Sequence, residues 1–443
     1  LECPPPSLEG LSFLSPPQKM HKVIEQTVTS PNTFAEALGA PDVKQSLGIS
    51  LLKRSVFAQL RKIRHGQLTV REKSQVTTFG ESKGPGSEIT IHNPRCYRRI
   101  VFGGMIGAAE SFIEGDWSTP DLVSLTRLFA RNETLLRQAN RGFARLKQAY
   151  YWIISQLQPN SRKSSRKNIA AHYDLGNEFF SLFLDSSMTY SCGIFDSPES
   201  SLWEASMQKY RVIADGLNLS PNDHVIEIGT GWGGFAFFAA EHYGCRVTTT
   251  TISAEQFKYV SKKVEQARLN DKIHVVCKDY RDLDGTFDKL VSIEMIEAVG
   301  HRFLKPFFKK CGDLLKPHGQ ATIQAITVPD KDYSQYRRSS DFIQQFIFPG
   351  GCLPSIQAIK QAAKESELQL VHVTNFSSDY FRTLSEWRIR FLENLSAIKQ
   401  LRVGEQFVRL WDYYLCYCAG GFAEGKIHVG HISFEKSRNT LLP

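Results

Sequence analysis

The chain of 443 residues has no long hydrophobic run and no cysteine pattern typical of a metal site or a disulfide framework. Its longest apolar segment, residues 232–240, is far shorter than the roughly 20 residues that span a bilayer. The nine cysteines are scattered and form no pair of CxxC motifs, so we expect reduced thiols and no metal site. The proline-rich start lacks the apolar segment of a secretory signal. These absences favour a cytoplasmic location.

The positive charge of the chain is unevenly distributed. In total 54 Lys and Arg stand against 45 Asp and Glu, a net charge of +9. Residues 1–170 hold 24 Lys and Arg against 13 Asp and Glu, whereas the remainder holds 30 against 32. Such asymmetry indicates an anionic partner, either nucleic acid or a membrane surface. A solvated basic face explains the same composition, and composition alone leaves these readings open.

The length of the chain and its local patterns predict several regions. At 42% hydrophobic and 22% charged residues, the composition is that of an ordinary globular protein. Alternating residues at 67–71 and 89–92 predict strands on either side of a turn at 80–87, and helices are expected at 122–129 and 140–157. The predicted regions are a poorly ordered leader at 1–30, a small mixed α+β domain at 31–158, a linker at 159–168 and a catalytic domain at 169–443.

From residue 224 onward, strand patterns alternate with helical ones. Strands are predicted at 224–228, 246–250, 273–276, 287–293 and 320–326, and a helix at 254–268. Such alternation is typical of a doubly wound, Rossmann-like α/β sheet, in which ligands bind at the carboxyl ends of the strands.

The first of these strands leads into a glycine-rich turn that reads Glu-Ile-Gly-Thr-Gly-Trp-Gly-Gly over residues 227–234. A phosphate-binding loop would need a Gly-Lys-Ser/Thr ending, and a dinucleotide site would need an acid after the next strand; both are missing. Glu227 precedes the first glycine and is placed to face a cationic ligand. Asp279 and Tyr280 follow a later strand and could hold an adenine. This set suits S-adenosylmethionine, which carries a sulfonium and no phosphate.

Two further acids, Glu294 and Glu297, follow the strand at 287–293 in a segment with a helical pattern. Residues three apart share a helical face or a turn, so both carboxylates could enter the site, although a solvated pair is the simpler reading. Aromatic residues are dense around 173–195, 346–348 and 380–387. They suit either a core or a pocket for an apolar substrate and a developing cation.

The motifs along the chain closely resemble those of the cyclopropane fatty acid synthases and the related mycolic acid synthases. The resemblance is strong over about 170–435 and weaker over about 60–150, where residues 107–117 resemble the smaller N-terminal domain of bacterial members. Seven motifs follow the family's order: His172-Tyr-Asp-Leu-Gly-Asn, Tyr190-Ser-Cys-Gly, the glycine-rich turn, Thr251-Ile-Ser-Ala-Glu-Gln, Glu297-Ala-Val-Gly, Phe348-Pro-Gly-Gly-Cys-Leu-Pro-Ser and Cys418-Ala-Gly-Gly-Phe.

The resemblance implies an enzyme that adds a methylene unit from S-adenosylmethionine across a cis double bond of an acyl chain in membrane phospholipid, forming a cyclopropane. Relatives on the same scaffold stop at a methyl branch or a methylene group, which is the alternative product. Together with the motif argument, the resemblance predicts these cofactor-binding residues: Tyr190, Ser191, Glu227, Gly229, Gly231, Thr251, Ser253, Gln256, Asp279, Tyr280 and Arg281.

In the family, the base that removes the final proton is thought to be a bound bicarbonate. The matching positions are Cys192 and Ile326 through their backbones, with Glu297, Tyr380 and Gln324 through their side chains. Gln324 stands where the best-known members have His, and an amide donates a hydrogen bond but carries no charge. Cys418 matches a cysteine once proposed as catalytic. Since methyl transfer to an alkene requires no thiolate, a structural role is favoured there.

Two other classes of function are compatible with the sequence. A small-molecule or nucleic-acid methyltransferase would use the basic N-terminal part on its substrate, but no nucleic-acid-binding module is recognisable, so we expect no nucleic-acid partner. A lipid-binding protein that keeps the methyltransferase fold but has lost its activity would bind cofactor without turnover. The family resemblance instead favours an anionic membrane as partner, docked through residues 1–170 at the inner membrane surface, with Arg61, Lys62, Arg64, Arg98 and Arg99 as candidates. Since members of the family often dimerise, a homodimer is a further expectation.

Overall fold

A computed structural model describes residues 42–81, 86–132 and 175–437. The predicted leader, the predicted helix at 140–157 and the predicted linker at 159–168 lie outside the described residues, as does the start of the first family motif. The domain boundary at the linker therefore stays a prediction.

Among its described residues, the N-terminal region combines three helices with a small sheet. Its strands lie in the order β2-β1-β3-β4, with β1 antiparallel to β2 and parallel to β3. The predicted strands at 67–71 and 89–92 correspond to β1 and β3, whereas β2 was not predicted. The elements are α1 (Asp42–Leu60), β1 (Gln67–Glu72), β2 (Gln75–Gly80), β3 (Gly86–Ile91), α2 (Arg95–Ile113), β4 (Trp117–Ser118) and α3 (Leu122–Arg131).

The second region is built on a seven-stranded sheet in the order β10-β11-β9-β8-β5-β6-β7. The strands from β9 to β7 are parallel, and β11 and β10 add antiparallel strands at one edge. All five predicted strands are confirmed, and the fold is the expected doubly wound α/β architecture. The strands are β5 (His224–Ile228), β6 (Arg246–Thr251), β7 (Ile273–Cys277), β8 (Phe287–Ile293), β9 (Leu315–Thr327), β10 (Leu368–Val373) and β11 (His428–Lys436).

Helices pack against the strands of this sheet. Within the described ranges, no helix is both long and apolar enough to cross a membrane. The helices are α4 (Asn177–Ser181), α5 (Leu202–Gly216), α6 (Gly234–His242), α7 (Ala254–Ala267), α8 (Leu304–Leu314), α9 (Asp330–Tyr336), α10 (Phe342–Phe346), α11 (Ile356–Ala363), α12 (Ser377–Glu393), α13 (Leu395–Gln400) and α14 (Glu405–Ala423).

One hydrophobic core joins the two regions. It combines residues of the small sheet and of α2 and α3 with aromatic residues of α12 and α14. The ring of Phe112 lies 5.5 Å from that of Tyr413, and Arg131 donates to Glu424 at 2.7 Å across the same boundary. The N-terminal region is therefore packed directly on α14, next to the carboxyl edge of the large sheet.

Candidate active site

The glycine-rich turn connects the end of β5 to the start of α6. Gly229, Gly231 and Gly233 have φ angles of 104°, 50° and 89°, a region that residues with a Cβ rarely adopt. A Cβ on Gly234 would lie 2.2 Å from the hydroxyl oxygen of Tyr210. The turn therefore needs glycine both for its backbone conformation and for its packing, and it brings the main chain to the wall of a large cavity.

Glu227 lies in β5 just before this turn and lines the same cavity, although its side chain is only 2% exposed. Its Oε2 accepts a hydrogen bond from Thr249 Oγ1 at 2.6 Å. Burial raises the pKa of this carboxyl to about 8, while Thr249 and the charge of Lys209 oppose the rise. A cationic ligand would stabilise the charged form of Glu227. The acid and the open turn thus fit the sulfonium of S-adenosylmethionine.

Most of the other predicted cofactor residues also lie on the cavity wall. Asp279 accepts from Arg281 at two oxygens, with distances of 2.8 and 2.7 Å, so it orients the guanidinium. Thr251 Oγ1 lies 2.8 Å from Gln256 Oε1. The predicted cofactor residues that line the cavity are Tyr190, Ser191, Glu227, Gly229, Gly231, Thr251, Gln256, Asp279, Tyr280 and Arg281.

Ser253 is placed differently from the rest of the set. It is the N-cap of α7, where its hydroxyl accepts from the backbone of Gln256 at 3.3 Å. It is not among the residues that line the cavity. Its contacts are those of a helix cap that holds Gln256 in place.

The two acids after β8 lie on a shared turn. The helix expected from the pattern after β8 is wrong, whereas the alternative of a shared turn is confirmed: β8 ends at Ile293, and a 3-10 turn covers Ile296–Ala298. Glu294 has a φ of 49°, a left-handed conformation that is costly for a residue with a side chain. The turn places both Glu294 and Glu297 on the cavity wall.

Three donors from separate elements converge on the carboxylate of Glu294. Its Oε1 accepts from the backbone of Cys192 at 2.9 Å and from Gln324 Nε2 at 2.8 Å. Its Oε2 accepts from the hydroxyl of Tyr380 at 2.5 Å. Burial raises the pKa of Glu294, whereas these donors and the charge of Lys209 act in the opposite direction. The ionised form is thus held by short, directed hydrogen bonds.

Gln324 is in turn held by His431, a residue that no motif indicated. The two are paired in the β11–β9 register, and His431 Nε2 lies 3.0 Å from Gln324 Oε1. Burial lowers the pKa of His431 to about 3, so the ring is neutral. Because the amide nitrogen of Gln324 donates to Glu294, its oxygen accepts from His431. The histidine therefore fixes the orientation of the amide.

Glu297 has a different environment from Glu294. Its Oε1 accepts from the backbone of Ile326 at 2.6 Å, and its buried Oε2 has no hydrogen-bond partner among the described residues. Burial and the charge of Glu294 raise the pKa of Glu297 to about 8. Two neighbouring carboxyl groups with different donors generally take different protonation states. Here Glu294 is the better-stabilised anion, and Glu297 is the better-stabilised neutral acid.

Lys209 is a second functional candidate that the sequence did not indicate. It lies on α5 with its side chain fully buried, and its Nζ donates to Ser191 Oγ at 2.6 Å. Burial lowers the pKa of Lys209 to about 8, while the charges of Glu294 and Glu227 raise it. A lysine in the middle of a helix gives no pattern that marks it as buried. Here it supplies positive charge to both carboxylates.

Aromatic side chains surround the space in front of the two acids. The ring of Tyr380 stacks on that of Phe422 with a centroid distance of 4.4 Å, and the hydroxyls of Tyr190 and Tyr414 lie 2.9 Å apart. All four residues line the cavity. Cys418 also lines it, but burial raises the pKa of this thiol far above its ordinary value, which keeps it neutral.

The cavity has a volume of about 890 Å³ and extends from the glycine-rich turn into the N-terminal region. Its far part is lined mainly by apolar side chains of α1, β1, β3, α2 and α3. They include Val56, Leu60, Leu68, Val70, Ile89, Ile91, Ile100, Val101, Met105, Leu122, Leu125 and Phe129. The region predicted to dock on lipid therefore also forms one end of the active-site cavity.

The parallel sheet, its glycine-rich turn and the acid before that turn define an S-adenosylmethionine-dependent methyltransferase. A family model described as mycolic acid cyclopropane synthetase matches residues 160–432. This chain belongs to that family.

The relatives found by comparison support this membership over most of the chain. Tuberculostearic acid methyltransferase UfaA1 of Mycobacterium tuberculosis is 34% identical over 80% of this chain and 85% of its own length. Cyclopropane-fatty-acyl-phospholipid synthase of Escherichia coli is 32% identical over 79% of this chain and 88% of its own. Among solved structures, mycolic acid cyclopropane synthase CmaA1 complexed with SAH and CTAB is 29% identical. The match covers 61% of this chain and 98% of the CmaA1 chain, with a TM-score of 0.58.

Proposed function

We propose that this methyltransferase transfers one carbon to the cis double bond of an unsaturated acyl chain in a membrane phospholipid and closes a cyclopropane ring. The observation that supports this most directly is the shape of the cavity. Its apolar end is lined by side chains from six elements of the N-terminal region, and its other end contains the predicted cofactor residues together with Glu294 and Glu297. Burial of an apolar chain in such a space is favourable, at roughly 25 cal/mol per Å².

The residues at the polar end fit the parts of this reaction. Glu227, Gly229 and Gly231 would hold S-adenosylmethionine, which supplies an activated methyl group when bound. An alkene is a weak nucleophile, so it must be held against that methyl group in the correct orientation. The faces of Tyr190, Tyr380 and nearby aromatic residues stabilise the positive charge that then develops on the acyl chain.

A base must finally remove a proton from the new methyl group. The family resemblance implies that this base is a bound bicarbonate. In this chain, however, the expected donors Cys192 N, Gln324 Nε2 and Tyr380 Oη already donate to Glu294, and Ile326 N donates to Glu297. The described side chains therefore do not fit bicarbonate at that position.

A methyl-branched or methylene product is the second candidate. It is favoured by the similarity to tuberculostearic acid methyltransferase, at 34% identity over 80% of this chain. Both products begin with the same transfer. For a methylene group, a hydride must move from the methylated carbon to the cationic carbon before the methyl group loses its proton, and a saturated methyl branch would then need a separate reductant. The same cavity would therefore serve either outcome.

We also propose that the enzyme reaches its substrate from the membrane surface. The docking surface consists of Leu51 and Arg54 on α1 with Arg98 and Phe102 on α2. Leu51 is 64% exposed and Phe102 is 42% exposed, both arginines are exposed, and the two helices pack together. Val101 and Met105 of α2 line the cavity beside this surface. Arg99, one of the sequence candidates, is instead paired with Asp116 at 3.2 Å.

The proposed function is tested by incubating the enzyme with methyl-labelled S-adenosylmethionine and vesicles of a monounsaturated phospholipid. Mass spectrometry of the fatty acids should show a gain of one CH₂. Ozonolysis then distinguishes the products, because ozone cleaves the double bond of an alkene or of an exocyclic methylene (C=CH₂) group but leaves a cyclopropane intact. An ozone-resistant product that carries the label supports ring closure. Release of the label as formaldehyde supports a methylene product, and a label kept in a ketone fragment supports a methyl-branched alkene. Cofactor binding without lipid product on any unsaturated phospholipid would contradict both.

A further inference from the structure

We propose that the carboxylate of Glu294 is the base of this enzyme and takes the place that an external anion would occupy. The inference rests on the proposed function, because it concerns the proton that is lost after methyl transfer. Two features of Glu294 support it: the hydrogen bonds that its carboxylate accepts and the left-handed conformation of its backbone.

The donors around Glu294 form a complete anion site. A backbone amide (Cys192), a side-chain amide (Gln324) and a phenol (Tyr380) direct their hydrogens at its two oxygens over 2.9, 2.8 and 2.5 Å. An added bicarbonate would have to displace the carboxylate from these donors. It would also bring a second negative charge next to Glu294, which is costly away from water.

The backbone at this position is consistent with a functional constraint. Glu294 follows β8 directly and has a φ of 49°, which glycine would adopt without cost. Strained residues of this kind persist where the surrounding structure holds them, and they cluster at active sites. This backbone conformation places the carboxylate of Glu294 on the wall of the cavity that the aromatic side chains also line.

The same arrangement accounts for the neutral amide at residue 324. An external anion benefits from a charged partner, whereas a carboxylate fixed to the chain needs only a donor of the right orientation. Gln324 provides that donor, and His431 holds its amide at 3.0 Å. Positive charge comes instead from Lys209, which interacts with Glu294 and is fully buried.

The π electrons of the acyl double bond form the new carbon–carbon bond to the methyl carbon, and the electron pair of the broken carbon–sulfur bond stays on sulfur. The second alkene carbon becomes cationic. Glu294 removes one proton from the new methyl group, and the electron pair of that carbon–hydrogen bond closes the third side of the ring. Glu294 then releases the proton, so each turnover produces one proton and one neutral thioether.

The test compares the wild type with two variants in buffer depleted of carbon dioxide, with and without added bicarbonate. The wild type should keep its rate in both conditions. Glu294→Gln fills the same space with a group that cannot accept the proton, so it should lose about 100-fold or more in kcat and gain nothing from bicarbonate. Glu294→Gly opens the site and relieves the strained backbone. Without an added anion this variant should also be inactive, and bicarbonate or formate should raise its kcat at least tenfold.

A binding measurement separates this inference from the proposed function. Thermal melting of each protein is followed as bicarbonate or formate is titrated in the absence of lipid. Glu294→Gly should be stabilised by the anions in a saturable way, whereas the wild type and Glu294→Gln should not. A wild type that loses activity without bicarbonate, or a Glu294→Gln variant with near-normal turnover, would overturn the inference. An absence of lipid product from the wild type in every condition would instead overturn the proposed function.

Discussion

At the carboxyl edge of the large sheet, the cavity is lined by acids, glycine backbone and aromatic rings, whereas in the N-terminal region it is lined mainly by apolar side chains and by no acid among the described residues. The polar end contains Glu227, Glu294 and Glu297, three acids that are held away from bulk water. The apolar end contains residues such as Val70 and Ile100. Since the two ends come from different parts of the chain, cofactor binding and chemistry should respond to different substitutions than acyl-chain binding does.

The largest effect in this comparison is expected from Glu227→Gln at the polar end. If this carboxylate contacts the cofactor, its removal should weaken S-adenosylmethionine binding by about 10- to 100-fold, the usual range for a hydrogen bond to a charged group. Calorimetric titration with the cofactor measures this. Ser355→Ala is the control, because it removes only the N-cap of α11, whose residues do not line the cavity, and it should lower Tm while leaving Kd unchanged. If Glu227→Gln binds S-adenosylmethionine with unchanged affinity, Glu227 does not contact the cofactor.

At the apolar end, Ile100→Trp should obstruct the space for the acyl chain. We expect KM for long-chain phospholipids to rise about tenfold, in line with the usual cost of about 1–3 kcal/mol for overfilling a packed space. The Kd for S-adenosylmethionine should be unchanged. Val76→Trp on β2 is the control, because Val76 is 55% exposed and is not among the cavity residues. Equal effects of the two substitutions on KM would contradict the assignment of this end to the acyl chain.

A smaller effect is expected at the docking surface beside the apolar end. Arg98→Ala should weaken binding to anionic vesicles about fivefold, since one basic residue near such a surface contributes about 1 kcal/mol. Co-sedimentation with vesicles at low and high salt measures this. Lys262→Ala, an exposed basic residue of α7 in the other region, serves as control. If both variants bind alike, docking through α1 and α2 is wrong.

The smallest effect is expected from Cys418→Ala. Although Cys418 lies on the cavity wall, burial raises the pKa of its thiol far above neutrality, so no thiolate is available. Turnover should stay within about twofold of the wild type, because the change removes one small buried atom and no charge. A loss of 100-fold or more, with normal cofactor affinity, would assign a chemical role to this cysteine.

The sequence predicted the strand and the glycine-rich turn at the polar end of the cavity because their signals are local. A strand, a glycine-rich turn and the acid before it lie within residues 224–234, and the positive φ angles explain why glycine is required there. The five predicted strands and the helix α7 were likewise confirmed, since their hydrophobic periodicity is unambiguous. The strand β2 was missed because only Phe79 of its six residues is buried, which leaves no hydrophobic face to detect.

The arrangement around Glu294 could not be predicted in the same way. Its donors come from positions 30 to 102 residues away in the chain, and the pairing of His431 with Gln324 depends on strand register. The sequence indicated Glu294 and Glu297 as a pair but gave no means of telling their roles apart. Lys209 gave no signal at all, because an isolated lysine in a helix normally faces solvent.

The most direct test of the two-ended cavity is photocrosslinking with a phospholipid whose unsaturated acyl chain has a diazirine at its methyl end. The enzyme is saturated with S-adenosylhomocysteine, which permits binding without turnover, and the labelled peptides are identified by mass spectrometry. The label should be found in peptides of α2, β1 or β3, such as those that contain Ile100, Val70 or Ile89. Ile100→Trp should reduce this labelling. Labels confined to peptides of the large sheet or its helices would contradict the account.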